Sequence, residues 1–130
     1  MKKLIICLIT LLLITGCGKE SNTSETKSEA KGSVQSITCA KMKNMLDEEK
    51  DVVLIDVRTK AEYEQQHLSK AINIPNENIK DIKNYEEITK DTKIIVYCKS
   101  GSRSSNSANE LINMGYKNVY NLGAMSSCSK

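Results

Sequence analysis

With 130 residues, 39 % apolar and 27 % charged, the chain holds enough material for one globular domain and an appendage. A net charge of +3, with no basic stripe interleaved with aromatic residues, argues against a nucleic-acid surface. A single histidine argues against a zinc centre, and a core without Phe or Trp must be built from Ile, Val, Leu and Met.

The first sixteen residues read as a signal peptide. Met1–Lys3 is a short basic start, and Leu4–Ile14, LIICLITLLLI, is an apolar run shorter than the roughly 20 residues that cross a bilayer. The next residues, ITGC from Ile14 to Cys17, resemble the lipobox of bacterial lipoproteins, where cleavage precedes a cysteine that then carries a thioether-linked lipid. The resemblance implies a lipid anchor at Cys17 and an extracytoplasmic place on the bacterial cell membrane. Removing residues 1–16 takes Lys2 and Lys3 and no acid, so most of the small positive charge belongs to the leader. Residues 17–35 are then the lipidated cysteine and a flexible tether. Ser, Thr, Glu, Lys and Gly dominate there and cannot bury enough surface to offset chain entropy. The folded domain is assigned to residues 36–130.

Thr38 is placed to cap a helix carrying Met42, Met45 and Leu46 on one face. VVLIDV, Val52 to Val57, is a continuous β-branched run and predicts a strand buried on both faces. Helix formers fill Lys60 to Gln66. AINIP, Ala71 to Pro75, alternates apolar and polar and ends in the single proline. Residues 76–88 hold one or two short helices anchored by Ile79, Ile82 and Ile88. IIVY, Ile94 to Tyr97, predicts a second buried strand. Ser104 to Met114 predicts a helix with Ala108, Leu111 and Ile112 inward, stopped at Gly115 in a left-handed cap on which Tyr116 packs back. Asn118 to Leu122 is a last short strand. Strands alternating with helices predict an α/β fold with a mostly parallel sheet.

The second buried strand runs into VYCKSGSRSS, Val96 to Ser105. Cys98 stands at the carboxyl end of the strand, where sites form in open α/β sheets. The loop then enters a helix, so its amides lack helical partners and are able to turn around one point. Gly101 permits the backbone angles such a nest requires, and the helix N-terminus adds partial positive charge. Lys99 and Arg103 add whole charges, and Ser100, Ser102 and Ser104 are small inward-pointing donors. These features favour a thiolate at Cys98. The alternative is a structural cysteine followed by a solvated serine-rich turn.

CKSGSRS, Cys98 to Ser104, resembles the active-site loop of rhodanese domains, Cys-x-x-Gly-x-Arg-Ser. IDVRTKAEYEQQHLSKAINIP, Ile55 to Pro75, is similar to the upstream signature of that family. GYKNVYNLGAM, Gly115 to Met125, resembles its closing strand and turn. The resemblance implies a rhodanese-like fold, a central parallel five-stranded sheet flanked by helices. It also implies a sulfurtransferase that carries a sulfane sulfur as a persulfide on Cys98, from a small sulfur-containing anion such as thiosulfate to cyanide or a thiol, with no cofactor. Arg103 would orient the loop or the donor. Lys99 would attract anions, and Ser100, Gly101, Ser102 and Ser104 would line the cradle. Asp56 and Arg58 match the family's Asp-Val-Arg and are placed behind the pocket, with Arg58 paired to Glu62 at i, i+4. His67 falls in a connecting turn and is expected to make a structural hydrogen bond.

The sequence departs from the family pattern in places. Gln66, Ser69 and Lys70 stand where Gly, Pro and Gly are usual, Ala124 where a second Gly is common, and Cys128 near a usual Trp. The chain stops at Lys130, where most relatives continue into another helix, which bears on one pocket wall. Cys39 reads as incidental. Cys128 has two readings, a thiol that reaches and resolves Cys98 or an unpartnered terminal cysteine. Two other functions compete. A phosphatase or arsenate reductase of related architecture is disfavoured by the loop, which places four residues between Cys98 and Arg103 where phosphate-handling relatives place five. A non-catalytic module binding a partner or a sulfide species is disfavoured by the intact cysteine and arginine.

Overall fold

Two β-branched runs with no polar alternation set the middle of the sheet, and the chain wraps both faces around them. The computed structural model describes residues 31–128. The leader, Cys17 and most of the tether lie outside the described residues. The elements run β1 (Val34–Ser36), α1 (Cys39–Glu48), β2 (Val52–Asp56), α2 (Lys60–Gln65), β3 (Ala71–Asn73), a 3-10 segment (Asn76–Asn84), β4 (Lys93–Cys98), α3 (Ser102–Asn113), β5 (Asn118–Ala124) and a closing 3-10 turn (Met125–Cys128). All five strands are parallel, in the order β1-β5-β4-β2-β3.

The sheet separates two apolar layers. On one side Met42 and Met45 of α1 pack with Leu54, Ile95, Tyr97 and Leu122. On the other, Ala108, Leu111 and Ile112 of α3 and Ile79 and Ile82 of the 3-10 segment pack with Ile55, Ile94, Val96 and Val119. β2 and β4 are therefore covered on both faces, as continuous apolar runs require.

The expected signals operate at the ends of the helices. Thr38 Oγ1 accepts from the Lys41 amide at 3.2 Å at the start of α1. Gly115 has φ 92°, its amide reaches Ile112 O, and Tyr116 N reaches Leu111 O, so the end of α3 closes as the glycine predicted.

The tether boundary and both outer cysteines depart from expectation. β1 begins at Val34, inside the stretch assigned to the tether, because parallel pairing with Val119–Asn121 supplies what its composition lacks. Cys39 is not incidental: it is joined to Cys128 by a disulfide with Cα atoms 5.3 Å apart. Cys128 is therefore neither a resolving thiol for Cys98 nor an unpartnered terminus. Lys70, at a position where the family favours glycine, takes φ 67°. Its ammonium bonds Asp47 Oδ1 at 2.7 Å and ties this strained turn to α1.

Candidate active site

β4 ends at Cys98, and the chain then makes a tight turn into α3. Cys98 is fully buried, and among the described residues it is the free cysteine. Gly101 sits at the N-cap of α3 with φ 99°, a left-handed conformation that side chains resist. This turns its amide back on the sulfur, with Gly101 N donating to Cys98 Sγ at 3.0 Å. Ser104, one turn into α3, is fully buried. Its hydroxyl donates to Gly101 O at 3.0 Å and accepts from Cys98 Sγ at 3.7 Å. Burial pushes the thiol up. The amide and hydroxyl of Ser104 and the amides of Gly101 and Ser100 together outweigh burial and hold Cys98 below the ordinary cysteine value.

The other predicted loop residues divide. The side chains of Ser100, Ser102 and Lys99 belong to exposed residues, so of the three serines only Ser104 turns its hydroxyl to the sulfur. Ser100 contributes through its amide alone. Arg103 does not stand open as an anion anchor. Its guanidinium makes a two-pronged pair with Glu62, Nη1 to Oε2 at 2.7 Å and Nη2 to Oε1 at 3.0 Å. That guanidinium, with the Thr59 amide, holds the Glu62 carboxyl down at about 2.

Glu62 is the residue that sequence reasoning assigned to the wrong partner. Arg58 does not pair with it. Arg58 instead clasps Asp56, with Nη2 to Oδ2 at 2.6 Å and Nε to Oδ1 at 3.0 Å, and donates to Gln66 O at 2.5 Å. Tyr97 Oη completes the cluster, donating to Asp56 Oδ2 at 2.8 Å and accepting from Leu68 N at 3.0 Å. Asn73 Nδ2 donates to the carbonyls of Asp56 and Arg58, each at 2.9 Å. Asp56 and Arg58 thus fasten the carboxyl ends of β2, β3 and β4, with their hydrogen bonds spent on one another, Tyr97, Asn73 and Gln66. His67 makes the structural contact expected of it, Nδ1 to Tyr63 O at 2.8 Å, and stacks on the Tyr63 ring.

Glu62 also closes a capping box on α2, because its Oε2 accepts from Thr59 N at 2.9 Å while Glu62 N donates to Thr59 Oγ1 at 3.3 Å. One carboxylate therefore fixes the start of α2 and the cation beside Cys98. Substituting Glu62→Gln keeps a side chain suited to the capping box and deletes one negative charge near the loop. The expected result is a lower midpoint pH for Cys98 alkylation at low salt, with the shift fading as salt rises. A higher alkylation midpoint would show that Glu62 serves the loop through geometry instead of charge.

Asn121 was also missed. β4 and β5 slip register between Val96 and Tyr97, so that Val96 faces Asn121 while Tyr97 faces Gly123. Asn121 Oδ1 accepts from Gly123 N at 2.9 Å and its Nδ2 donates to Ser105 Oγ at 3.1 Å, which ties this bulge to α3. The Asn-x-Gly spacing in NLG was the available signal.

This arrangement suits an anionic sulfur at Cys98, held by amides at a helix N-terminus and carried on the end of a buried parallel strand. Residues 38–127 match the model of the family described as Rhodanese-like domain. A protein named "Sulfurtransferase" from Allochromatium vinosum is 35% identical over 89 residues, covering 68% of this chain and 81% of that one. "Thiosulfate sulfurtransferase PspE" of Escherichia coli K12 is 37% identical over 71 residues, covering 55% and 68%. Among solved structures, "rhodanese with anions from E. coli" superposes with a TM-score of 0.55 at 35% identity, covering 58% of this chain and 89% of that one. Sheet order, the turn that folds around Cys98 and these likenesses lead to one assignment: the chain belongs to the rhodanese-like domain family.

Proposed function

We propose that the protein transfers sulfane sulfur from a small anionic donor such as thiosulfate to cyanide or a thiol, through a persulfide on Cys98. The Cys98 thiolate attacks the outer sulfur of thiosulfate. A new S–S bond forms as the donor's own S–S bond breaks, and sulfite leaves with the electron pair. Cyanide, or a thiolate, then attacks the outer persulfide sulfur and regenerates the Cys98 thiolate. Both halves move negative charge over sulfur, so preorganised amides lower both barriers. The observation that carries this reading is the Gly101 amide 3.0 Å from a buried sulfur at the N-terminus of α3. Ser104 and the Ser100 amide complete the cradle. Arg103, held by Glu62, fixes the flank of the loop, and exposed Lys99 draws anions toward its mouth. Intact-mass measurement after exposure to thiosulfate should find one added sulfur atom on the Cys98 peptide, removed again by cyanide. No added sulfur at any thiosulfate concentration would sink the reading and leave a binding module.

The chain is further proposed to act outside the cytoplasmic membrane, tethered through a lipid on Cys17 by the segment after it. The ITGC motif behind an apolar leader supports this, and the Cys39–Cys128 disulfide suits an oxidising compartment. Replacing Cys17 by alanine should move the protein from the membrane fraction to the soluble one. Unchanged retention would refute the lipid anchor.

A further inference from the structure

The two sulfurs of the Cys39–Cys128 disulfide differ in their surroundings. Both cysteines are part-exposed. Cys128 lines a cleft of about 200 Å³ with Met42, Leu46 and Leu68, and Cys39 does not line it. A thiolate entering the cleft therefore meets Cys128, and Cys39 is the sulfur that leaves. Lys43 and Lys70 stand at the cleft against one acid, Asp47, which Lys70 pairs at 2.7 Å. This balance favours an anionic thiol.

The leaving sulfur sits where negative charge is welcome. Cys39 is the first residue of α1, and the partial positive charge of a helix start stabilises a thiolate. The charges on α1 run against the usual helix preference. Lys41 and Lys43 stand near its start, no acid stands in its first turn, and Asp47 and Glu48 stand at its end. The contrast with α2 is direct. There Thr59 and Glu62 form a capping box, whereas at α1 Thr38 caps and the matching position holds Lys41 instead of a carboxylate. α1 gives up a stabilising contact and keeps a cation near the sulfur that leaves.

We propose that Cys39–Cys128 is a thiol-exchange site, separate from Cys98, that oxidises a small anionic thiol to its disulfide. The incoming thiolate attacks Cys128 Sγ. A new S–S bond forms there as the Cys39–Cys128 bond breaks, and Cys39 leaves as a thiolate with the electron pair. A second thiolate attacks the thiol's own sulfur in this mixed disulfide. The two thiols depart joined as a disulfide, and Cys128 is released as a thiolate. Two electrons pass to the protein, and the two protons given up by the thiols balance the two protein thiolates.

The probe is glutathione, added to the oxidised full chain under native conditions and quenched with N-ethylmaleimide. The Cys39, Cys98 and Cys128 peptides are read by mass, and folded fraction is read by circular dichroism in the same samples. Folded protein is expected to carry glutathione on Cys128 and maleimide on Cys39, at least about tenfold over the reverse pattern. A Cys98→Ser protein should give the same pattern, because the exchange needs no third thiol. Lys41→Glu separates exchange from a purely structural staple. Its carboxylate completes a capping box with Thr38, so the unfolding midpoint holds or rises, while exchange slows about threefold at low salt. Lys43→Glu should slow glutathione more than the neutral thiol 2-mercaptoethanol, and equal slowing overturns the preference for an anion. A disulfide that opens only in denaturant, glutathione found mainly on Cys39, loss of exchange in Cys98→Ser, or a Lys41→Glu protein exchanging at the wild-type rate each overturns the proposal. None of these outcomes bears on sulfur transfer at Cys98, which is read separately from thiosulfate loading.

Discussion

A Cys98→Ser protein is expected to lose at least about a thousandfold in thiosulfate-to-cyanide turnover while keeping the wild-type unfolding free energy within roughly 1 kcal/mol. The hydroxyl fits the space of the thiol and still meets the Gly101 amide, so the loop has no reason to collapse. It cannot carry a persulfide. In the wild type the rate should rise with pH as the thiolate forms and level off below the range of an ordinary cysteine, because the cradle holds Cys98 down. A serine variant that retained substantial turnover would place the sulfur carrier elsewhere.

An Asp56→Ala substitution should cost about 3–5 kcal/mol of stability, read from urea unfolding. Asp56 is fully buried and Arg58 is only 5% exposed, so removing the carboxylate strands a guanidinium inside the protein and takes the acceptor from Tyr97. The double replacement Asp56→Leu/Arg58→Met should recover most of the loss, since an apolar pair leaves no uncompensated charge. A single-variant loss under about 1 kcal/mol would mean that Gln66 O and neighbouring water suffice for Arg58.

The residues legible in the sequence were those whose role is local. Val52–Asp56 and Lys93–Cys98 announce buried strands by composition alone, and Leu111 and Ile112 mark the inner face of α3 by spacing. The cradle was legible for the same reason: a glycine three residues after a strand-end cysteine constrains only its own turn. What stayed hidden depends on distant partners. Gln35 and Ser36 carry no strand signal, and only the edge offered by β5 makes them one. Spacing alone does not reveal cysteine connectivity, so the bond from Cys39 to Cys128 had no local mark. The misread of Arg58 has a plain cause. The i, i+4 rule holds within a helix, and Arg58 precedes α2, which starts at Lys60. Its guanidinium was free to turn back to Asp56 and leave Glu62 to Arg103. The outward turn of Ser100 and Ser102 likewise follows from the loop's shape and not from its composition.

The strand order has a consequence for biosynthesis. β1 neighbours only β5, with Val34 opposite Val119, so the first strand made must wait for the last. A nascent chain is able to assemble β2, β3 and β4 as a partial sheet, but its edge at β4 stays open until β5 arrives. The same final residues bring the cysteine that Cys39 bonds. Until they are made, a row of unpaired amides and carbonyls beside an apolar face is presented to whatever surrounds the chain. A chain truncated short of residue 118 would therefore be aggregation-prone, with the β4 edge and Cys39 both left without partners.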